Sequence, residues 1–586
     1  MRAFERAQAQ AQASVRVRAQ ASARARVLAA ALVVVGLLAG GCSADPAGAP
    51  AAPSPDPAAS GTSSAPTAAG AGATPLEPLP AAVPAALAPY YAQRPVWQPC
   101  DSGFECTTFR VPLDYDHPGD GDLTLAAART AAEPAGTGSA SSDPSAPAPA
   151  PAPAPAPSAS ATASASAASQ GTRLGSLLLN PGGPGGSAIE YLEAAARTYD
   201  HGVRARYDLV GLDPRGVGRS SPVSCLSGDR MDAYTAVGLA PGDQGGVDAL
   251  VAADKEFAEG CRTQAGAALG HLGTVEAARD MDVLRALLGD EKLNFVGKSY
   301  GTFLGATYAG LFPSRVGRLV LDGAMDPSLD SVAGNRTQAG GFETAWAAFA
   351  QDCAKREDCP LGRTEQQVGD RLTALLGGVR TAPLPTTDAG RRLTGSQATT
   401  GVIQAMYADF LWPKLRAALT DAETGDGTGL LRLSDDYYGR ESDGSYPNLM
   451  FANIAVNCLD LPAPFHGPED VQRAVPEFER VSPHFGRDMA WMALTCAYWP
   501  VRATGAAHTV RAAGAAPIVV IGTTRDPATP YAWAQSLAGQ LESGRLLTFD
   551  GDGHTAYGRH STCVDGAVNR FLLTGEAPEQ GKRCER

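Results

Sequence analysis

The sequence predicts an α/β protein: a mostly parallel central sheet with flanking helices and a largely helical insertion ahead of its last strands. Three observations predict it. Short apolar runs alternate with amphipathic segments, each run closing in a turn rich in Gly, Pro or Asp. One such run, Leu293-Asn294-Phe295-Val296, enters Gly297-Lys298-Ser299-Tyr300-Gly301 and then a helix start, which is strand–turn–helix order. After Leu321-Asp322 the alternation stops. From Pro327 to about Ala516 the pattern is helical and aromatic-rich, and strands resume at Pro517-Ile518-Val519-Val520-Ile521-Gly522.

In chain order, residues 1–41 carry six arginines and one glutamate, with an apolar run from Val27 to Leu38. That run is too short for a membrane span and suits the core of a signal peptide. It ends in Leu38-Ala39-Gly40-Gly41-Cys42, which resembles the bacterial lipobox, whose cysteine is lipidated; Ala39 departs from it, standing where a larger aliphatic residue is usual. Ordinary signal cleavage with a free Cys42 thiol is the alternative. Residues 42–85, rich in Ala, Pro, Ser and Gly, read as a tether that cannot bury enough apolar surface to fold.

The first part of the core is expected over 86–326. Phe109 to Tyr115 reads as an edge strand, because Pro112 cannot donate to a central ladder, and Leu123 to Arg129 as the next strand. Residues 133–171 form a low-complexity insert with an Ala-Pro alternation, expected to be stiff and extended at an exposed loop tip. Strands follow at Ser176–Leu179, at Tyr207–Asp213 and on either side of the serine turn. The cap is expected over 327–516 and the second part of the core over 517–586, with a last strand at Arg545–Phe549.

Charge and cysteine content narrow the function. The chain has 586 residues and a formal net charge of −13; without residues 1–41 it is −18, from 42 basic and 60 acidic residues. Such a surface argues against nucleic acid or anionic lipid as a partner and favours cationic ligands. Eleven cysteines fall in neighbouring pairs with Cys42 left over: Cys100 and Cys106, Cys225 and Cys261, Cys353 and Cys359, Cys458 and Cys496, Cys563 and Cys584. Neighbour pairing is the simplest of many connectivities, and sequence alone does not fix it. With no C-x-x-C and no histidine cluster, disulfides in an oxidising compartment fit better than metal ligation. No metal or organic cofactor is expected.

The chemistry-bearing residues stand at strand ends. In Gly-x-Ser-x-Gly the glycines let strand and helix approach closely while the turn pushes the Ser299 hydroxyl outward as a nucleophile. The run Leu177-Leu178-Leu179-Asn180-Pro181-Gly182-Gly183-Pro184-Gly185-Gly186-Ser187 is a buried strand entering glycine-rich backbone, suited to an oxyanion hole. Asp526, just after the Pro517–Gly522 strand, and His554, after the Arg545–Phe549 strand, complete the chain order serine, acid, histidine. Ser299 would attack an acyl carbon, His554 would shuttle the proton and Asp526 would hold the imidazole. Asp322, Asp550, Asp552 and His560 are the local rivals. Arg215, in the turn after Asp213, is expected to pair with loop carboxylates.

These motifs, with Gly211-Leu-Asp-Pro-Arg-Gly-Val-Gly218, Leu321-Asp-Gly323 and Gly553-His554, resemble the secreted tripeptidyl aminopeptidases of actinomycetes, relatives of the prolyl aminopeptidases, from about Trp97 to the C-terminus. The resemblance implies the α/β-hydrolase fold and a serine exopeptidase that removes short peptides from a free N-terminus. It also implies oxyanion donors at the backbone N–H groups of Gly183 and Tyr300. An aminopeptidase must capture an α-ammonium, so cap acids are substrate-binding candidates: Asp460 and Glu343, with Glu479 beside them. Trp346, Trp412 and Trp491 would line a pocket or fill the cap's own core. The expected partners are peptides with a free N-terminus, and the membrane only through a lipid on Cys42; the expected state is a monomer. Two other classes stay open: an esterase or other acyl hydrolase on the same triad, and a non-catalytic surface-tethered binding protein. A dehalogenase or epoxide hydrolase would need Asp in place of Ser299.

Overall fold

The computed structural model describes residues 73–100, 103–133, 172–388 and 390–585. The signal segment, Cys42 and nearly all of the low-complexity insert lie outside these residues.

The fold is built on a ten-stranded sheet. In chain order its strands are β1 (Gln98–Pro99), β2 (Glu105–Pro112), β3 (Asp122–Thr130), β4 (Gly175–Asn180), β5 (Tyr207–Leu212), β6 (Leu293–Lys298), β7 (Val316–Asp322), β8 (Ile518–Arg525), β9 (Gly544–Asp552) and β10 (Lys582–Glu585). The spatial order is β10-β9-β8-β7-β6-β4-β5-β3-β2-β1. β4 to β10 pair in parallel, whereas β3 joins β5 antiparallel and β2 and β1 continue antiparallel. The order reverses direction around β4, so loops leaving β4, β5 and β6 part there and open a crevice at their carboxyl ends.

Every residue of β4 is buried, because helices cover both faces. Leu178, Phe295, Leu319 and Val520 point to one side, against the helices Thr274–Leu287, Tyr300–Leu311 and Tyr531–Gln540. Leu177, Leu179, Val296 and Val519 point to the other, against Ala188–Ala195 and Thr562–Thr574. This is the two-residue period of a strand, read on two covered faces.

Between β7 and β8 the described residues form eight α-helices: Ser331–Ala354, Glu365–Thr381, Gly395–Met406, Trp412–Glu423, Thr428–Tyr438, Leu449–Asp460, Pro468–Val481 and Gly486–Met492. They enclose a core of their own in which Trp346, Trp412 and Trp491 are buried, so these tryptophans fill the cap rather than line a pocket. The helix Leu449–Asp460 packs instead with Phe257, Cys261 and Val217 of the sheet domain.

Two boundaries differ from the sequence reading. Residues before 86 already pack on the core: Thr74–Pro75 pairs in parallel with His508–Thr509, the Leu79 N–H donates to Leu311 O, and Leu76 and Val83 pack on the sheet-side core. A Pro-rich segment is ordered here because those scattered apolar side chains find a ready surface. In the same way Val510 and Ala512, counted with the cap in the sequence, are buried against the sheet domain. The disulfides are Cys100–Cys106, Cys225–Cys261, Cys353–Cys359, Cys458–Cys496 and Cys563–Cys584. Among the described residues no helix is long and apolar enough to cross a membrane, and no group of His, Cys, Asp and Glu is arranged to hold a metal.

Candidate active site

Ser299 sits between β6 and the helix Tyr300–Leu311 with φ 55° and ψ −126°. A side chain rarely adopts this conformation, and here the surroundings enforce it. The Ser299 N–H donates to Asp322 O at the end of β7, and the Thr302 N–H and hydroxyl both donate to Ser299 O. A Cβ on Gly297 would stand 2.3 Å from Gly301 O, and one on Gly301 2.8 Å from Asn180 Oδ1, so both glycines of the motif are required by close approach.

The residues after β8 and β9 meet beside this turn. His554 Nδ1 lies 2.8 and 2.9 Å from the two carboxylate oxygens of Asp526. Asp526 is itself buried and accepts the N–H groups of Ala528, Thr529 and Thr555 at 3.0, 2.9 and 3.1 Å. Its orientation is therefore set by backbone, and Nδ1–H of His554 has one carboxylate to donate to. His554 Nε2 is buried without a hydrogen-bond partner, so a bond to Ser299 is not made in this structure. Such bonds are commonly long before substrate binds.

Asp322 ties the two halves together: its carbonyl takes the Ser299 N–H while its carboxylate accepts the N–H groups of Ala556 and Tyr557 at 2.9 and 3.0 Å. Burial raises its pKa, offset by Lys298 and these backbone donors. Of the rival acids, Asp550 accepts the Thr524 hydroxyl and pairs with Arg525, and Asp552 pairs with Arg525.

The glycine-rich loop after β4 comes against the serine turn. A Cβ on Gly182 would stand 2.4 Å from Lys298 O, 2.9 Å from Ser299 Cβ and 3.0 Å from the Tyr300 nitrogen. The Gly182 N–H is taken by Asn180 Oδ1 at 2.9 Å. Gly183, the next residue, is exposed with φ 114°, and among the described residues no backbone hydrogen bond takes its N–H or that of Tyr300, the first residue of its helix. Two unencumbered donors beside the nucleophile are what a tetrahedral oxyanion requires.

Three contributions escaped the sequence reading. Tyr407, at the end of the cap helix Gly395–Met406, accepts the His554 N–H on its carbonyl at 2.8 Å and sets its ring edge-on to the imidazole, 5.6 Å between centroids. The Thr529 hydroxyl stands 3.3 Å from His554 Nδ1. Gly182 carries the close approach to the serine. Tyr407 reaches His554 from a distant cap helix through its carbonyl and ring, a meeting no local pattern announces; Gly182 and Thr529 lie inside motifs read for other residues.

The cap acids fall into two groups. Glu343 corrects the expectation: its carboxylate is occupied by His484 Nδ1 at 2.6 Å, the Ser482 hydroxyl at 3.0 Å and the His484 N–H at 3.2 Å, all within the cap. Glu479 pairs with Arg487 on the surface. Asp460 ends the helix Leu449–Asp460, two residues beyond the disulfide to Cys496, and is half-buried. It accepts the Thr274 N–H at 2.7 Å and the Thr274 hydroxyl at 2.5 Å, and that hydroxyl accepts the Tyr300 hydroxyl in turn. Burial pushes its pKa up to about 7, against the Thr274 hydrogen bonds and with help from Glu276. Arg215 is fully buried and bidentate to Asp280, both contacts 2.7 Å, where it also donates to Leu113 O and His271 O. It braces the turn after β5.

A cavity of about 430 Å³ lies elsewhere, among Leu174, Asn294, Val316, Arg318 and Pro517. These residues stand at the amino ends of the strands, the end of the sheet opposite Ser299, and carry no nucleophile.

Against known proteins, the model of the family described as TAP-like protein matches residues 482–584, which include Asp526 and His554. The serine protease Hip1 of Mycobacterium tuberculosis is 39% identical over 428 residues, covering 71% of this chain and 81% of the relative. Carboxylesterase B of the same organism is 37% identical over 427 residues, covering 71% and 80%. The tripeptidyl aminopeptidase of Streptomyces lividans is 33% identical over 422 residues, covering 70% and 77%. With this extent of identity, and with the serine turn, the His554–Asp526 pair and the glycine loop at the carboxyl ends of one parallel sheet, the chain belongs to the tripeptidyl aminopeptidase family of α/β-hydrolase serine peptidases.

Proposed function

We propose that this protein is an extracytoplasmic serine exopeptidase that releases short peptides, three residues long, from the free N-terminus of peptide substrates through an acyl-enzyme. The observation that carries the reading is the His554–Asp526 pair, with Nε2 unpartnered and the strained Ser299 held at the carboxyl end of β6 in the same sheet. Ser299 Oγ attacks the scissile carbonyl carbon and His554 Nε2 takes its proton. Asp526, fixed by three backbone donors, keeps the other imidazole proton on Nδ1 and stabilises the imidazolium. The N–H groups of Gly183 and Tyr300 receive the oxyanion. As the C–N bond breaks, His554 returns the proton to the leaving amine. Water, deprotonated by the same histidine, then cleaves the acyl-enzyme. Asp460 receives the substrate ammonium: its carboxylate has no basic partner among the described residues and lies at a helix C-terminus, where the dipole also favours a cation.

An extracytoplasmic site of action is supported by five disulfides, which persist only in an oxidising compartment. Cys42 is left over by this pairing and is proposed as the lipidated anchor residue. An esterase is the second reading, favoured by the relative named carboxylesterase B.

The test is hydrolysis of Ala-Pro-Ala-p-nitroanilide with a free N-terminus and of its N-acetylated twin, by wild type and Ser299→Ala. Cleavage of the free peptide alone, lost in the variant, is the expected result. Equal cleavage of both twins would exclude the exopeptidase, and hydrolysis of short-chain esters alone would establish the second reading.

A further inference from the structure

His554 stands in a tightly kinked stretch of chain. Gly553, Thr555, Gly558 and His560 all have positive φ, at 91°, 64°, 82° and 65°. Thr555 lacks the freedom of glycine and is held in that region by its surroundings. A four-residue turn is commonly closed by a bond from the N–H of its last residue to the carbonyl of its first. Over Asp552–Thr555 the Thr555 N–H goes to Asp526 instead, and the next two N–H groups, of Ala556 and Tyr557, go to Asp322. The His554 N–H leaves the sheet domain for Tyr407 O. The donors of the turn are thus taken by fixed acceptors, and its carbonyls need another partner.

Arg559 is that partner. Its Nη1 donates to Asp552 O at 2.9 Å and to Thr555 O at 3.0 Å, the carbonyls on either side of Gly553-His554. One cationic nitrogen closes the turn that the Thr555 N–H does not close. The guanidinium lies directly against it: a Cβ on Gly553 would stand 3.1 Å from Nη1 and Nη2, and 2.9 Å from Tyr407 O. Nη2 also reaches the carboxylate of Asp409, two residues beyond Tyr407 in the cap, at 3.5 Å. Lys298 does a similar task farther on, with Nζ on Tyr557 O at 2.7 Å, but that carbonyl lies beyond the turn.

Among the described residues no hydrogen bond joins Arg559 to Ser299, to Asp526 or to the imidazole, so its influence must pass through the turn. We propose that Arg559 is a positioning residue. By bridging the two carbonyls it holds His554 at the place from which Nδ1 reaches Asp526 and Nε2 serves Ser299. Through Tyr407 and Asp409 the cap shares in that positioning. The inference rests on the serine-hydrolase triad and is the same for an exopeptidase and an esterase.

The experiment measures kcat and KM for free-amine Ala-Pro-Ala-p-nitroanilide and for p-nitrophenyl acetate. The proteins are wild type, Arg559→Gln, Arg559→Lys, His554→Ala and the double variant His554→Ala with Arg559→Gln. Arg559→Gln should lose about a hundredfold in kcat on both substrates with KM within about twofold, the scale of a catalytic group displaced by about 1 Å. Arg559→Lys keeps a cationic donor and should lose only about tenfold, as for one weakened hydrogen bond to a charged group. Beside His554→Ala, the same Gln substitution should cost less than about twofold, because the histidine that it positions is gone. An undiminished loss in that background would make Arg559 a general support of the fold and overturn the proposal. A kcat for Arg559→Gln within about twofold of wild type would also overturn it. If Arg559→Gln does not fold, Arg559→Lys takes its place in the cycle, with the loss again expected to vanish beside His554→Ala. If His554→Ala is as active as wild type, or wild type hydrolyses neither substrate, the triad reading fails first and this proposal with it.

Discussion

The floor and the roof of the candidate cleft hold their acids in opposite ways. On the floor, Asp526 accepts three backbone N–H groups and the His554 ring, and Asp322 accepts two backbone N–H groups while its carbonyl holds Ser299. On the roof, Asp460 meets one threonine and, among the described residues, no cation, and Glu343 is held by a histidine of its own cap. Groups fixed by backbone cannot be moved without refolding the strand ends. Groups carried on one helix can be exchanged while the chemistry stays. A family whose members are named both tripeptidyl aminopeptidase and carboxylesterase B is consistent with one floor beneath different roofs.

The largest effect that would sharpen this contrast comes from the floor. Gly182→Ala puts a methyl 2.4 Å from Lys298 O and 2.9 Å from Ser299 Cβ, so the serine turn or the glycine loop must shift. We expect kcat to fall about a hundredfold on every substrate, amide or ester, as for loss of an oxyanion donor. An effect confined to peptides, measured by parallel ester and anilide assays, would break the division between floor and roof.

A smaller effect is expected from pH on the roof. Burial without a cation raises Asp460 to about 7, and only its carboxylate form attracts the substrate ammonium. The ratio of kcat/KM for free over acetylated tripeptide should therefore fall as pH drops below about 7, roughly tenfold per pH unit at the limit. It should also fall as the substrate amine deprotonates near pH ~8. Glu276 and Tyr300 face the same carboxylate, so the variant Asp460→Asn is the control: its ratio should lose the acid limb. A wild-type ratio flat below neutrality would contradict the assignment.

The smallest effect belongs to Glu343→Gln. It weakens the half-buried contacts to His484 and Ser482 within the cap, so stability should drop by about 1–3 kcal/mol while kcat/KM stays within about twofold. A large loss of activity with stability intact would return Glu343 to the substrate site.

The same contrast governs what the sequence could reveal. Floor residues were legible because strands buried on both faces are apolar runs, as in Leu177–Leu179 and Ile518–Ile521, and a nucleophile, acid and base at three strand ends follow from chain order. The short edge strands β1 and β10 were not legible. Lys582–Glu585 is polar, and its pairing with β9 goes with the Cys563–Cys584 bond, which no local pattern announces. The packed segment before residue 86 was hidden by its proline content, since Leu76 and Leu79 gain burial only from a surface built far along the chain. On the roof, an acid in a helical cap reads alike whether its partner is a histidine 141 positions away, as for Glu343, or a threonine 186 positions away, as for Asp460. Only the fold separates them.

The most direct test of the central claim, that covalent chemistry resides at the strand ends, is labelling with a fluorophosphonate followed by peptide mass mapping. The account predicts one adduct, on Ser299 within Gly297–Thr302, forming about a thousandfold more slowly or worse in Asp526→Asn, where the imidazole loses the carboxylate that fixes its tautomer. An adduct on another residue, or equal labelling rates in wild type and Asp526→Asn, would contradict it.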